Sequence, residues 1–298
     1  MSITASAVKE LREKTGAGMM DCKKALEENA GDMEKAIDWL RQKGLSKAAK
    51  KAGRATSEGL VGCRAADGAQ SAVLVEVKCE TDFVSRGDKF QDFVKNLVAQ
   101  VEKGSACDLG AGEKLLDEAY FGDASRTVRD VLNDAIATIG ENIVMGRYVK
   151  MDVASGAHGM IGSYLHSNGK IAVLVELHAE SEAAAASDDF KGLAKNIAMQ
   201  IAATSPLGVA PDSLDPELLE REREVYRQKA REEGKPENIV EKIAEGAVKK
   251  YCKEVCLLEQ PYIRDDKTTV GELVRAVSKT AGAAISVRRF VRIQLGAE

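Results

Sequence analysis

The pentapeptide Ala72-Val73-Leu74-Val75-Glu76 returns unchanged as Ala172-Val173-Leu174-Val175-Glu176, a hundred positions further along the chain. Each copy is a short apolar run rich in β-branched residues, which predicts a strand. The match continues downstream: Asp88 and Phe90 answer Asp188 and Phe190, and Lys95-Asn96 answers Lys195-Asn196. Upstream, Gly59-Leu60-Val61-Gly62 answers Gly159-Met160-Ile161-Gly162. Between strand and helix the match lapses, because Thr81-Asp82-Phe83 faces Ser181-Glu182-Ala183. A residue needed by the scaffold should recur in both halves. An aromatic found in only one connection points to something outside the fold.

Each half predicts a strand, a Gly-containing turn (Asp67-Gly68; Asn168-Gly169), the returning strand and then a helix. These helices are expected over Lys89 to Lys103 and Phe190 to Ala203. A second helical stretch follows over Thr127 to Ile139, and final strands lie in Asn142 to Met151 and Ala284 to Leu295. The fold class is therefore α+β, with two repeated subdomains, each a three-stranded antiparallel sheet packed on helices. Before them, apolar residues at helical spacing predict three short helices: Thr4 to Lys14, Met19 to Glu28, and Met33 to Lys43 closed by Gly44. Together they resemble a ubiquitin-associated module. Leu45 to Thr56 is Ala-rich and basic and reads as a linker, part helix, or as a basic arm for nucleic acid or an acidic partner. A helical hairpin is expected over Glu217 to Leu257, turning at Gly234-Lys235-Pro236. The resulting boundaries are 1–55 for the module and linker, 56–152 for the first subdomain, and 153–298 for the second with arm 217–257.

Three histidines and no Gly-x-Ser-x-Gly or GxGxxG pattern give little support to an enzyme. Cys79 with His178, or Glu80 with Asp82, would be weak catalytic pairs. Gly16-Ala17-Gly18 lacks the spacing of a phosphate cradle and suits a tight turn between helices. Cys252 and Cys256 could share a helix face, but no other ligand accompanies them, so packing is preferred to metal binding. No catalytic residue, metal or cofactor is expected. A formal charge of −4 argues against a general nucleic-acid binder. The absence of any long apolar run argues against a membrane span, and the acidic, signal-free N-terminus is expected of a cytoplasmic protein. Of the adjacent pair Met19-Met20, at least one side chain is expected at the surface, where a thioether suits a partner's apolar groove.

Two stretches carry a family resemblance: Leu11-Arg12-Glu13-Lys14-Thr15-Gly16-Ala17-Gly18-Met19-Met20-Asp21-Cys22-Lys23-Lys24-Ala25-Leu26 and Cys79-Glu80-Thr81-Asp82-Phe83-Val84. Ile139-Gly140-Glu141-Asn142-Ile143 and Gly162-Ser163-Tyr164-Leu165-His166 support them. Over essentially its whole length the chain resembles the elongation factor Ts family, guanine-nucleotide exchange factors of elongation factor Tu. The resemblance implies that Thr81, Asp82, Phe83 and Val84 press on the GTPase domain of elongation factor Tu, with the aromatic wedged between two helices near the magnesium and phosphates. It implies that Ile139, Gly140, Met19, Met20 and Lys23 touch the same domain and that His166 faces the others. A homodimer in the complex is left open. Some relatives carry a further C-terminal helix, which this chain does not continue into. The competing readings are an RNA-binding translation factor and a small-substrate transferase.

Overall fold

A computed structural model of the chain describes residues 3–105 and 107–297. It opens with α1 (Ala5–Thr15), α2 (Met19–Glu28) and α3 (Met33–Ala49). The Thr4 hydroxyl accepts from the Ala7 amide to start α1, and left-handed Gly16 ends it. Asp32 caps α3 by accepting from the Lys35 amide. Val8, Leu11, Cys22, Ala25, Leu26 and Ala36 form the small core of this module. Met19 and Met20 are both exposed, so Met20 does not join Ala25 and Leu26 on the packed side.

The chain continues through β1 (Glu58–Ala65), β2 (Ser71–Cys79), α4 (Asp82–Ser85), α5 (Asp88–Lys103) and β3 (Cys107–Ala111). After β4 (Ala119–Tyr120) and β5 (Asp123–Thr127) come α6 (Val128–Ile139) and β6 (Ile143–Asp152). The main sheet runs β1-β2-β6-β3. Its fourth strand, β3, adds to the three expected from sequence. Cys107, Leu109 and Ala111 alternate with Asp108 and Gly110 in β3, a pattern short and weakly apolar, and the strand's antiparallel pairing to Lys150, Tyr148 and Arg147 shifts register midway. One face of the sheet, through Val73, Val75 and Val77, packs on Phe90, Phe93, Leu97 and Val101 of α5 and on Leu132 and Ile136 of α6. Gly62 lets α5 lie close, since a Cβ there would stand 2.5 Å from Val98. The third helix does not close at Gly44. It passes through that residue because Gly44 faces α6, where a Cβ would meet that of Ala137 at 3.4 Å. The basic linker is part helix, as expected: residues 45–49 complete α3 and those after them are turn and irregular chain up to β1. Two of its four cations have partners within the chain, Lys47 on Asp21 at 2.7 Å and Arg54 on Glu80 at 3.4 Å.

The second half builds β7 (His158–Leu165), β8 (Ile171–Ala179), α7 (Glu182–Ala186) and α8 (Asp188–Thr204). The pair α9 (Pro216–Glu232) and α10 (Glu237–Val255) follows, then β9 (Pro261–Tyr262), β10 (Asp265–Thr269), α11 (Val270–Ala281) and β11 (Ile285–Gln294). The order β11-β8-β7 is the expected three-stranded sheet, with β7 and β8 antiparallel from His158–Ala179 to Leu165–Ala172. Val173, Val175 and Leu177 pack on Phe190, Ile197 and Ile201 of α8 and on Val270 and Val274 of α11.

Repetition reaches further than the strands. Buried Gln100 bridges the Ala119 carbonyl and the Phe121 amide, and Gln200 bridges the Pro261 carbonyl and the Ile263 amide. Capping boxes begin α6 at Thr127 and α11 at Thr269, and left-handed Gly140 and Gly282 end them. By compactness the chain divides into two units, one of Met1–Gly62, Val73–Lys150 and Ile293–Glu298, the other of Cys63–Ala72 and Met151–Arg292.

Candidate functional site

The connection after β2 is a capped turn of helix, and so is its counterpart. Thr81 accepts from the Val84 amide at 3.3 Å to start α4, while Ser181 accepts from the Ala184 amide at 3.4 Å to start α7. The two connections therefore share a backbone and differ in their side chains, which a residue-by-residue match cannot register. On α4, Phe83 is 84% exposed, the most open large apolar side chain among the described residues. Asp82 beside it is also exposed and pairs with Arg86 at 3.0 Å. Val84 turns the other way and packs on the first core, as does Ile139 at the end of α6. Ser85 is buried, its hydroxyl donating to the Asp82 carbonyl at 2.9 Å. One turn thus has a rooted inner side and a presented outer side.

Two carboxylates tie this turn to the one after α6. Gly140, at a φ of 94°, ends the helix and donates its amide to the Ile136 carbonyl. Glu141 then reaches across: Oε2 accepts from the amides of Glu80 at 3.1 Å and Thr81 at 3.0 Å, and Oε1 from the Thr81 hydroxyl at 2.7 Å. In return, Glu80 Oε1 accepts from the Asn142 amide at 2.6 Å. The buried Asn142 side chain donates to the Arg54 carbonyl at 2.8 Å. Charged acceptors make these bonds stronger than neutral ones. Glu80 is thereby committed to the backbone and is not half of an acid–base pair with Asp82. The sequence raised Glu80 only as a weak catalytic partner of Asp82, and gave Glu141 and Asn142 no role beyond their place in the stretch that supports the resemblance.

The structure brings Thr81, Asp82, Phe83 and Val84 together with Ile139 and Gly140 through this crossed pair of carboxylates. Met19, Met20 and Lys23 stand on α2, all exposed, and Lys23 pairs with Glu27 at 3.8 Å. Below them Asp21 accepts from Lys43 and Lys47, both at 2.7 Å, and those bonds hold its carboxyl below the usual range. His166 belongs to the second unit, at the exposed end of β7, with Nδ1 3.0 Å from the Tyr164 hydroxyl. His178 is bonded to Glu176 at 2.7 Å and buried Cys79 donates to the Thr81 carbonyl, so each has a structural bond in its own strand's surroundings. Among the described residues no group of His, Cys, Asp or Glu is arranged to hold a metal ion, and no helix is long and apolar enough to cross a membrane.

The turn thus carries an exposed aromatic on a backbone pinned by two carboxylates. The family model described as "Elongation factor TS" matches residues 80–297, which includes the turn, β3 and β6 of the first sheet, and the whole second sheet. The chain is 63% identical over 298 residues to "Elongation factor Ts" of Lawsonia intracellularis, covering all of both chains. It is 62% identical over 296 residues to that of Nitratidesulfovibrio vulgaris, covering 99% of this chain and 96% of the other. The protein of the same name from Clostridium acetobutylicum is 49% identical over 294 residues, 99% of this chain. Matched end to end at such identity, the chain belongs to the elongation factor Ts family.

Proposed function

We propose that this chain, an exchange factor of translation elongation, releases GDP from elongation factor Tu by inserting Phe83 into the GTPase domain. The observation that carries this reading is a large apolar ring, 84% exposed, on a turn whose other side is rooted in the core. Thr81, Asp82 and Phe83 form the pressing edge, with Val84 and Ile139 as its roots and Gly140 beside it. Met19, Met20 and Lys23 serve as an apolar and cationic anchor on the same domain, and His166 meets the partner's other domains. The chain forms and breaks no covalent bond in this role. Its setting is the cytoplasm, without nucleic acid or membrane, and two copies in the complex are compatible with it.

Exchange requires tighter binding to the empty GTPase than to the loaded one, and nucleotide then weakens the factor by the same ratio. Burying a Phe contributes about 1.5–3 kcal/mol, and each tenfold in rate or affinity takes about 1.4 kcal/mol. One ring therefore accounts for roughly ten- to a hundredfold, and the remaining contacts supply the rest. The direct experiment is release of a fluorescent GDP from elongation factor Tu with and without this chain. Acceleration by catalytic amounts supports the reading. Unchanged release, or salt-sensitive binding to RNA in its place, would replace it with the RNA-binding alternative.

A further inference from the structure

We propose that Glu141 is a positioning residue for exchange, holding the Phe83 turn in its pressing orientation without touching the partner itself. The proposal rests on the wedge reading above and deepens it. Its basis is the second repeat, which shows what the fold needs at this junction when no aromatic is presented. There Gly282 ends α11 as Gly140 ends α6, so Ala283 stands where Glu141 does and Ala284 where Asn142 does. The bond from the first Glu is kept: Glu180 accepts from the Ala284 amide at 3.2 Å, as Glu80 accepts from Asn142 at 2.6 Å. The Glu180 amide meets the Ala284 carbonyl at 2.9 Å, a backbone bond that closes this junction without a side chain. The returning carboxylate is absent from that half. Ser181 caps α7 with Ala183 beyond it, and the turn folds with nothing to present. The triple acceptor role of Glu141 and the exposed ring of Phe83 are thus additions to the same half. Both Thr81 groups bonded by Glu141 lie two residues before Phe83, so the carboxylate fixes the start of the turn that aims the ring. A wedge that must displace loops of its partner loses effect if it swivels, because ordering it on contact costs conformational entropy.

The test uses the full chain with Glu141→Ala, Glu141→Gln, Phe83→Ala and the double variant Glu141→Ala/Phe83→Ala, reading GDP release from elongation factor Tu. Glu141→Ala is expected to slow stimulated release at least about tenfold, with the thermal midpoint within a few degrees of wild type. Glu141→Gln keeps an acceptor oxygen and should recover part of the loss. In the Phe83→Ala background the Glu141 change should have little further effect, because there is no ring left to aim. Amide hydrogen exchange on the unbound chain supplies the second readout, with Glu80 and Thr81 exchanging faster in Glu141→Ala. Equal losses in both backgrounds would overturn the proposal, since that is the behaviour of a general structural residue. Slowed release with those amides still protected would also overturn it, making Glu141 a direct contact. Full activity of Glu141→Ala rejects the positioning role while leaving the wedge intact. A wild-type chain that fails to stimulate release rejects the wedge reading itself.

Discussion

Glu76 and Glu176 close the two copies of the repeated pentapeptide, and each is buried against an arginine from the last strand of its half. Glu76 accepts from Arg147 Nε at 2.9 Å and from the Gly296 amide at 3.1 Å. Burial pushes its carboxyl up, but the Arg147 bonds and the backbone donors outweigh it and leave the group below its ordinary value of 4.5. Glu176 behaves alike under Arg289 and His178. A carboxyl depressed by folding contributes fully above the unfolded value and loses that contribution as pH falls through the folded value. Glu76→Gln is therefore expected to cost about 3 kcal/mol at pH 7, the scale of breaking a buried pair. The difference from wild type should narrow below about pH 4.5 in urea titrations at several pH values. A gap that stays constant down to pH 3 would show that the charge is not what matters. The glutamates were visible in the sequence only as part of a repeated word. Their pairing with Arg147 and Arg289 needed the strand order, since those arginines lie far along the chain.

At the scale of elements, the helical pair α9–α10 is a case where spacing located the feature and misplaced its edge. Small residues Ala230, Val240, Ala244 and Val248 are buried, while Val225 is 57% exposed and not part of the apolar side. The pair is tied by cross-helix charge, Arg227 on Glu241 at 2.7 Å and Arg231 on Glu237 at 2.7 Å. Leu214, Val248, Cys252 and Cys256 make a separate cluster at its base, which accounts for the two cysteines as packing groups. Leu257, by contrast, is fully buried in the core of the second sheet, and its amide donates to the Gly208 carbonyl at 2.9 Å. A deletion over 217–257 thus removes core as well as arm. Replacing 216–255 with a short Gly-Ser loop is expected to leave one cooperative melting transition of the remainder. Leu257→Ala should cost about 2–5 kcal/mol. Loss of cooperative melting in the loop variant would make the pair part of the core. The helices were legible because their periodicity is strong. Strand β3 was not, since its five residues carry only a short, weakly apolar alternation whose Leu109 lies exposed.

For the whole molecule, the repeat was the most readable feature, because identical residues at a fixed offset demand similar surroundings. What it concealed was the equivalence of α4 and α7, where Thr81 and Ser181 build one backbone under different side chains. It also concealed the docking of α3 on α6, which turns on the missing side chain of Gly44 and a pairing of Arg41 with Asp130 at 2.7 Å. Deleting 1–55 should therefore leave a folded remainder with a lower thermal midpoint, as the α6 face and the Ala48 contact are lost. The same deletion should weaken binding to elongation factor Tu, measured by titration calorimetry. Undiminished affinity would remove the anchoring role from Met19, Met20 and Lys23. The central claim is that Phe83 serves the partner and not the fold, and Phe90 is its control, buried in the first core as Phe190 is in the second. The deciding measurement is GDP release from elongation factor Tu stimulated by Phe83→Ala, with urea unfolding of both Phe→Ala variants alongside. The account expects release to slow at least about tenfold with stability nearly unchanged, while Phe90→Ala loses about 3–5 kcal/mol. A Phe83→Ala chain that unfolds readily, or one that is stable and stimulates release as well as wild type, would contradict it.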